Sequence, residues 1–262
     1  MEPAVSDSGL LTLIAGIFGA LIGSFLNVCI VRWPAEQSVI RPRSRCPKCG
    51  YQITWYDNIP VLSWLALAGK CRSCRTPIGA LYPLVELATA LIWAGMVWHF
   101  GVTLEAAKGG AFCTILLGIA MTDAREYLIP HEFTIGGFVI GLGFAAAGGL
   151  TALLQAVLGG LAGSLPLWAL GAIATRVLKK EALGFGDVMM MMMVGAFVGW
   201  QGVLLTLFSG SLIGLLIIGP LRFLGRKKEE LPFGVFLAIG AALTYLAGPA
   251  VVAWYKGFLG GG

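Results

Sequence analysis

The 262-residue sequence predicts an all-α polytopic membrane protein of about eight transmembrane helices, with one folded segment outside the bilayer. Three observations lead there. Hydrophobic residues make up 58% of the chain and charged residues only 12%, about half the quarter usual in soluble domains. The apolar residues gather into long runs. The basic residues behind the net charge of +5 sit almost entirely in alternate gaps between those runs.

The runs cover residues 10–31, 82–100, 109–122, 132–149, 152–176, 187–199, 201–222 and 232–255. The first, Gly9 to Val31, has the length of a spanning helix, exceeds the core of a cleaved signal and follows no basic residue, so a retained first helix is expected. Stretches 109–122 and 187–199 fall short of the roughly 20 residues a span needs. Each is expected to extend into its flanks or to sit tilted and shielded by protein. The 38 glycines suit membrane helices that pack closely. No convincing internal repeat is visible.

With eight spans the connections alternate sides. Arg32, Arg41, Arg43, Arg45, Lys48, Lys70, Arg72, Arg75, Arg125, Arg176, Lys179, Lys180, Arg222, Arg226, Lys227 and Lys228 fall on one side, which is 16 of the 18 basic residues. Lys108 and Lys256 fall on the other. Positive residues favour the cytoplasm, so the long 32–81 connection is expected there, with both chain ends, including Glu2 and Asp7, outside. The expected division is a first transmembrane helix (1–31), a cytoplasmic four-cysteine loop (32–81) and a transmembrane domain (82–262). Pro34, Pro42, Pro47, Pro60 and Pro77 make long helices improbable in the loop.

Cys46-Pro47-Lys48-Cys49-Gly50 and Cys71-Arg72-Ser73-Cys74 form two C-x-x-C knuckles separated by 21 residues. Two such knuckles at that separation signal a tetrahedral zinc site with Cys46, Cys49, Cys71 and Cys74 as ligands. Four sulfurs close the coordination shell, so the metal is structural, and a reducing cytoplasm favours it over disulfides. Cys29 and Cys113 lie in apolar runs and are expected to be small buried hydrophobes.

Charge within a span is costly and usually has a function. Asp123 closes the third run and Asp187 opens the sixth, and the topology puts both at the cytoplasmic face. Two carboxylates at one depth can share a proton: one takes a proton from water while the other polarises a scissile carbonyl. Gly184 and Gly186 before Asp187 allow a sharp turn and close approach of a substrate strand. No G-x-S-x-G or H-E-x-x-H competes, and the histidines are His99 and His131. The plainer reading is that each aspartate caps a helix or pairs with a nearby base, Asp187 being well placed to cap.

Gly23-Ser24-Phe25-Leu26-Asn27-Val28, the paired C-x-x-C loop, Asn58-Ile59-Pro60-Val61-Leu62-Ser63-Trp64, Tyr82-Pro83-Leu84-Val85-Glu86, Asp123 with Ile129-Pro130, and Gly184-Phe185-Gly186-Asp187 occur in this order over most of the chain. Together they resemble the type IV prepilin peptidase family, whose second aspartate motif, G-x-G-D, is shared with presenilin-like proteases. The resemblance implies a membrane aspartic endopeptidase with Asp123 and Asp187 catalytic. Its substrates would be prepilins or type II secretion pseudopilins, cut between a basic leader and an apolar helix, typically between Gly and Phe. It further implies N-methylation of the new terminus from S-adenosylmethionine. Cofactor-binding residues are not assigned; Glu86 and the 32–81 loop are the candidates. Implied partners are these substrates and the lipid bilayer, with no nucleic acid, in the inner membrane of a bacterium. The chain departs from the family's usual residues at Met189 (commonly Lys), His131 (often Asp or Asn) and Leu81 (often Arg). The run Met189 to Met193 is expected to be apolar helix surface. Alternatives are an intramembrane aspartic protease of other helices, or a transporter or scaffold whose aspartates bind cations or hold helices together.

Overall fold

In a computed structural model, residues 5–180, 183–223 and 232–260 are described. Glu2 and the loop cations Arg226, Lys227 and Lys228 lie outside them. The described chain forms helices α1 (Val5–Arg32), α2 (Leu62–Ala66), α3 (Leu81–Phe100), α4 (Leu104–Glu126), α5 (His131–Ala147), α6 (Leu150–Leu178), α7 (Phe185–Phe223) and α8 (Phe233–Gly260), with a 3-10 turn at Trp55–Asn58. Among the described residues six helices are long and apolar enough to cross a membrane: α1, α3, α4, α6, α7 and α8. The chain is a multi-pass helical membrane protein.

All eight apolar runs are helical, but they do not make eight separate long helices. Runs 187–199 and 201–222 are the two halves of α7, divided at Gly199, whose φ of 71° and ψ of 177° interrupt the helical backbone. The short run 109–122 grows to 23 residues in α4 because Glu105, Lys108 and Asp123 are accommodated within the helix. The fourth run gives α5, 17 residues long. The proline-rich loop contains no helix longer than the five residues of α2.

The chain divides into two compact units, residues 1–114 and 115–262. In the first, α1 packs on α3 through glycines one helical turn apart. A Cβ on Gly19 would lie 2.6 Å from the Thr89 carbonyl oxygen, and one on Gly23 would lie 2.8 Å from Glu86 Cα. The helix backbones therefore nearly touch, as small-residue spacing permits in membranes. Trp93 closes the unit: its ring meets Phe18 edge-on at 5.0 Å and its indole N–H donates to Thr114 Oγ1 at 3.1 Å.

In the second unit α7 is the central helix, packed by α5, α6 and α8. Gly159 and Gly163 of α6 face the Gly195 and Met191 carbonyls of α7, and Gly195 faces the Gly159 carbonyl in return. Gly137 of α5 faces the Met193 side chain. Met190, Met191 and Met193 are fully buried. The methionine run is thus mainly core and not the helix surface expected from its composition. Flexible thioethers fill the irregular space that glycine-lined neighbours leave. Gly195→Ala is expected to force α6 from α7 and cost about 1–3 kcal/mol, read as a lower midpoint of thermal unfolding in detergent.

Candidate active site and metal centre

Asp123 sits in the last turn of α4. The helix ends where Tyr127 adopts a φ of 53°, its N–H still donating to the Asp123 carbonyl at 3.0 Å. The chain then buries Ile129, and Pro130 precedes the first turn of α5. Asp187 lies in the first turn of α7, its backbone N–H donating to the Gly184 carbonyl at 3.2 Å. Asp187 is part-exposed, whereas Asp123 is only 6% exposed.

The start of α8 completes the arrangement. The Val235 N–H donates to Asp123 Oδ2 at 3.1 Å. A Cβ on Gly234 would lie 2.8 Å from that oxygen and 2.9 Å from Ile129 Cδ1, and one on Gly186 would lie 3.0 Å from Ile129 Cβ. Ile129 therefore wedges between the starts of α7 and α8, and the two aspartates stand within electrostatic reach of each other. The positive ends of the α7 and α8 dipoles favour negative charge at this place. Such a pair has the makings of a shared-proton site.

Asp123, Asp187, Gly184 and Gly186 thus gather in one place. Gly234 and Val235 join them without having been singled out by sequence; their only signal is a Pro-x-Gly step at the head of the last apolar run. His131 packs edge-on against Phe185 at 6.0 Å, beside the G-x-G-D turn. Met189 is part-buried next to Asp187.

In the first unit the four loop cysteines converge. Their sulfurs all lie within 4.8 Å of one another, with Cys46 to Cys74 at 3.8 Å and Cys49 to Cys71 at 4.0 Å. A tetrahedron of sulfurs around zinc, with bonds of about 2.3 Å, has edges of about 3.8 Å. The sulfurs are too far apart for disulfides, and the cluster has the geometry to hold a metal ion. The knuckles repeat one local geometry. Cys46 N–H donates to the Tyr51 carbonyl and Cys71 N–H to the Thr76 carbonyl, both at 2.8 Å, and Gly50 and Arg75 fill the positive-φ position after each second cysteine. The Thr76 hydroxyl, 3.2 Å from Cys74 Sγ, is the main cause that pulls that thiol down to about 6. At neutral pH Cys74 is therefore a thiolate, the form that binds metal. Cys49 is pushed up to about 11: the Tyr51 backbone acts downward, but desolvation and the neighbouring sulfurs outweigh it. Cys29 and Cys113 are buried apart from the cluster, as apolar packing requires.

Fold and site together define a polytopic helical membrane protein with paired carboxylates at helix ends and a four-thiol loop. The chain belongs to the type IV leader peptidase family. The description "Type IV leader peptidase family" matches residues 110–219, and "Bacterial Peptidase A24 N-terminal domain" matches residues 17–100. Among its relatives, a protein of Pseudomonas aeruginosa named "Prepilin leader peptidase/N-methyltransferase" is 36% identical over 93% of both chains. A Stutzerimonas stutzeri protein of the same name is 35% identical over 94% of both. One from Myxococcus xanthus is 38% identical over 82% of this chain and 65% of its own length. No solved structure matches the chain.

Proposed function

We propose that this chain removes the leaders of type IV prepilins or type II secretion pseudopilins and methylates the new N-terminus. It would act as an eight-span protein of a bacterial inner membrane, with the loop and the aspartates facing the cytoplasm. Two halves of α7 and the short α5 make up the spans beyond the long helices. The peptidase would reside in residues 82–262. The observation that carries the reading is relatedness to named leader peptidases over nearly the whole chain, joined to two aspartates within reach of each other. One carboxylate takes a proton from water as the water attacks the scissile carbonyl. The other, protonated, gives its proton to the carbonyl oxygen; the first then passes the proton it took from water to the leaving amine, and the second regains its own as the carbonyl re-forms. The Val235 N–H fixes Asp123 for this work. The four cysteines would hold a structural zinc that braces the loop. S-adenosylmethionine would be the methyl donor.

The chain in lipid nanodiscs is expected to shorten a prepilin by its leader, and replacing the glycine before the scissile bond with a bulky residue should block the cut. Cleavage indifferent to that residue would favour an intramembrane protease of other helices, and no cleavage would favour a non-enzymatic protein. Gly234→Ala places a methyl group against the Asp123 carboxylate and breaks its bond to Val235. Losing a hydrogen bond to a charged group costs about 1.5–3 kcal/mol, so cleavage by this variant should fall about tenfold or more.

A further inference from the structure

The first unit holds a cavity of about 450 Å3 between the cysteine knuckles and the adjoining ends of α1 and α3. Small-molecule sites fall in the range of about 300–1,000 Å3. Asn27, Asp57, Trp64, Arg72 and Glu86 are among its walls. Its two carboxylates differ. Asp57 is saturated by Arg72, whose Nη2 and Nε donate at 2.6–3.0 Å, and that bond holds Asp57 below the usual carboxylate range. Glu86 has no ion pair among the described residues.

Glu86 is nonetheless held firmly. Its Oε2 accepts the Val61 N–H at 2.8 Å, and the Ser24 side chain acts on the same carboxyl. Val61 adopts a φ of 61°, a conformation that costs a β-branched residue about 1–3 kcal/mol and persists only where the surroundings enforce it. Close by, Asn27 Nδ2 donates to the Tyr82 carbonyl at 2.9 Å, tying α1 to the first turn of α3. Gly23 lets α1 press against the Glu86 backbone. Three arginines also line the cavity, but Arg72 is bound to Asp57, Arg32 donates to the Ser38 and Pro42 carbonyls, and neither these nor Arg45 forms an ion pair with Glu86, so this half-buried carboxylate lacks a paired cation.

We propose that this cavity is the methyl-transfer chamber, and that Glu86 binds the substrate's free α-amine and accepts its proton. The proposal rests on the methyltransferase reading above and names the residue that acts in it. An α-amine has a pKa of about 7.7–8.0, so near pH 7 it is mostly ammonium and has no lone pair to attack with. Glu86 takes one ammonium proton. The nitrogen lone pair then forms a bond to the methyl carbon of the sulfonium donor. The carbon–sulfur bond breaks with its electron pair going to sulfur, leaving a neutral thioether and a methylammonium. The residues present fit both reactants: the Glu86 carboxylate for the substrate's ammonium and the Trp64 ring for a flat apolar base, in a cavity of small-molecule size.

The test is Glu86→Gln, which can still accept the Val61 N–H but can take neither proton nor charge. Three quantities are read on one nanodisc preparation: leader cleavage, S-adenosylmethionine affinity by calorimetry, and methylation of a processed substrate against pH. Cleavage and affinity should match wild type. Methylation at pH 7 should fall by about 10²–10⁴-fold, and the deficit should shrink by about tenfold per pH unit until the amine has lost its proton near pH 8. Glu86→Asp should recover part of the rate. Wild-type methylation by Glu86→Gln at pH 7, or a deficit equal at every pH, would overturn the assignment. A wild-type chain that cleaves but neither binds S-adenosylmethionine nor methylates would instead overturn the underlying reading, and the chamber with it.

Discussion

Asp123→Asn and Asp187→Asn should each reduce leader cleavage by about 10²–10⁴-fold or more while leaving the fold intact. An amide at 123 can still accept the Val235 N–H, now made to Asp123 Oδ2 at 3.1 Å, so the junction of α4 with α8 survives. At 187 the side chain is part-exposed, and the Gly184 turn is closed by a backbone bond at 3.2 Å that the substitution leaves alone. What each amide loses is the capacity to take up and release a proton. Either loss stops the exchange, because the attacking water needs a base and the scissile carbonyl needs an acid. The measurement is the cleavage rate on a prepilin, beside circular dichroism and thermal unfolding that match wild type. A scaffold that uses these aspartates to hold helices together would show the opposite pattern, with altered unfolding.

Cys46→Ser or Cys71→Ser should release the metal and unfold the loop. These two cysteines are the buried members of the cluster, so their loss leaves nothing packed in their place. The loop's regular structure amounts to one 3-10 turn, a five-residue helix and two isolated β-bridges, Arg45 with Gln52 and Lys70 with Pro77. So little secondary structure does not hold itself. A four-thiolate zinc site contributes about 10–16 kcal/mol of apparent binding free energy in small domains, enough to decide whether the loop folds. Metal analysis should give about one zinc per wild-type chain and much less in either variant. Limited proteolysis should then cut between Arg41 and Arg75 in the variants and spare the wild type. Methylation should be lost with the loop, since Cys46 and Cys71 form part of the chamber wall. A metal-free wild-type chain with a protease-resistant loop would contradict the zinc reading.

Much of this was legible in the sequence because hydrophobic length and cysteine spacing are local signals. The boundary read at residue 200 lies one residue from Gly199, where the helical backbone breaks. The family's likeness to named leader peptidases was carried by short motifs in order, and the comparisons bear it out. Other features depend on distant partners and left little local trace. The methionine run looks like helix surface by composition, and only the glycine-lined faces of α5 and α6 make it core. The Val235 N–H reaches Asp123 across 112 residues of sequence. The alternation of Cys, Cys and a positive-φ residue in both knuckles was hidden because glycine fills that position in one and Arg75 in the other. Glu86 was a candidate through the motif it closes, but its anchor, Val61, is a hydrophobic residue whose backbone is what matters.

The central claim is that Asp123 and Asp187 work as one proteolytic unit, and a double-substitution comparison tests it most directly. Cleavage of one prepilin is measured for Asp123→Asn, Asp187→Asn and the chain carrying both. Groups that act as a unit give non-additive losses, so all three should retain the same low residual rate. Losses that multiply in the double variant, or a wild-type rate from either single variant, would contradict it.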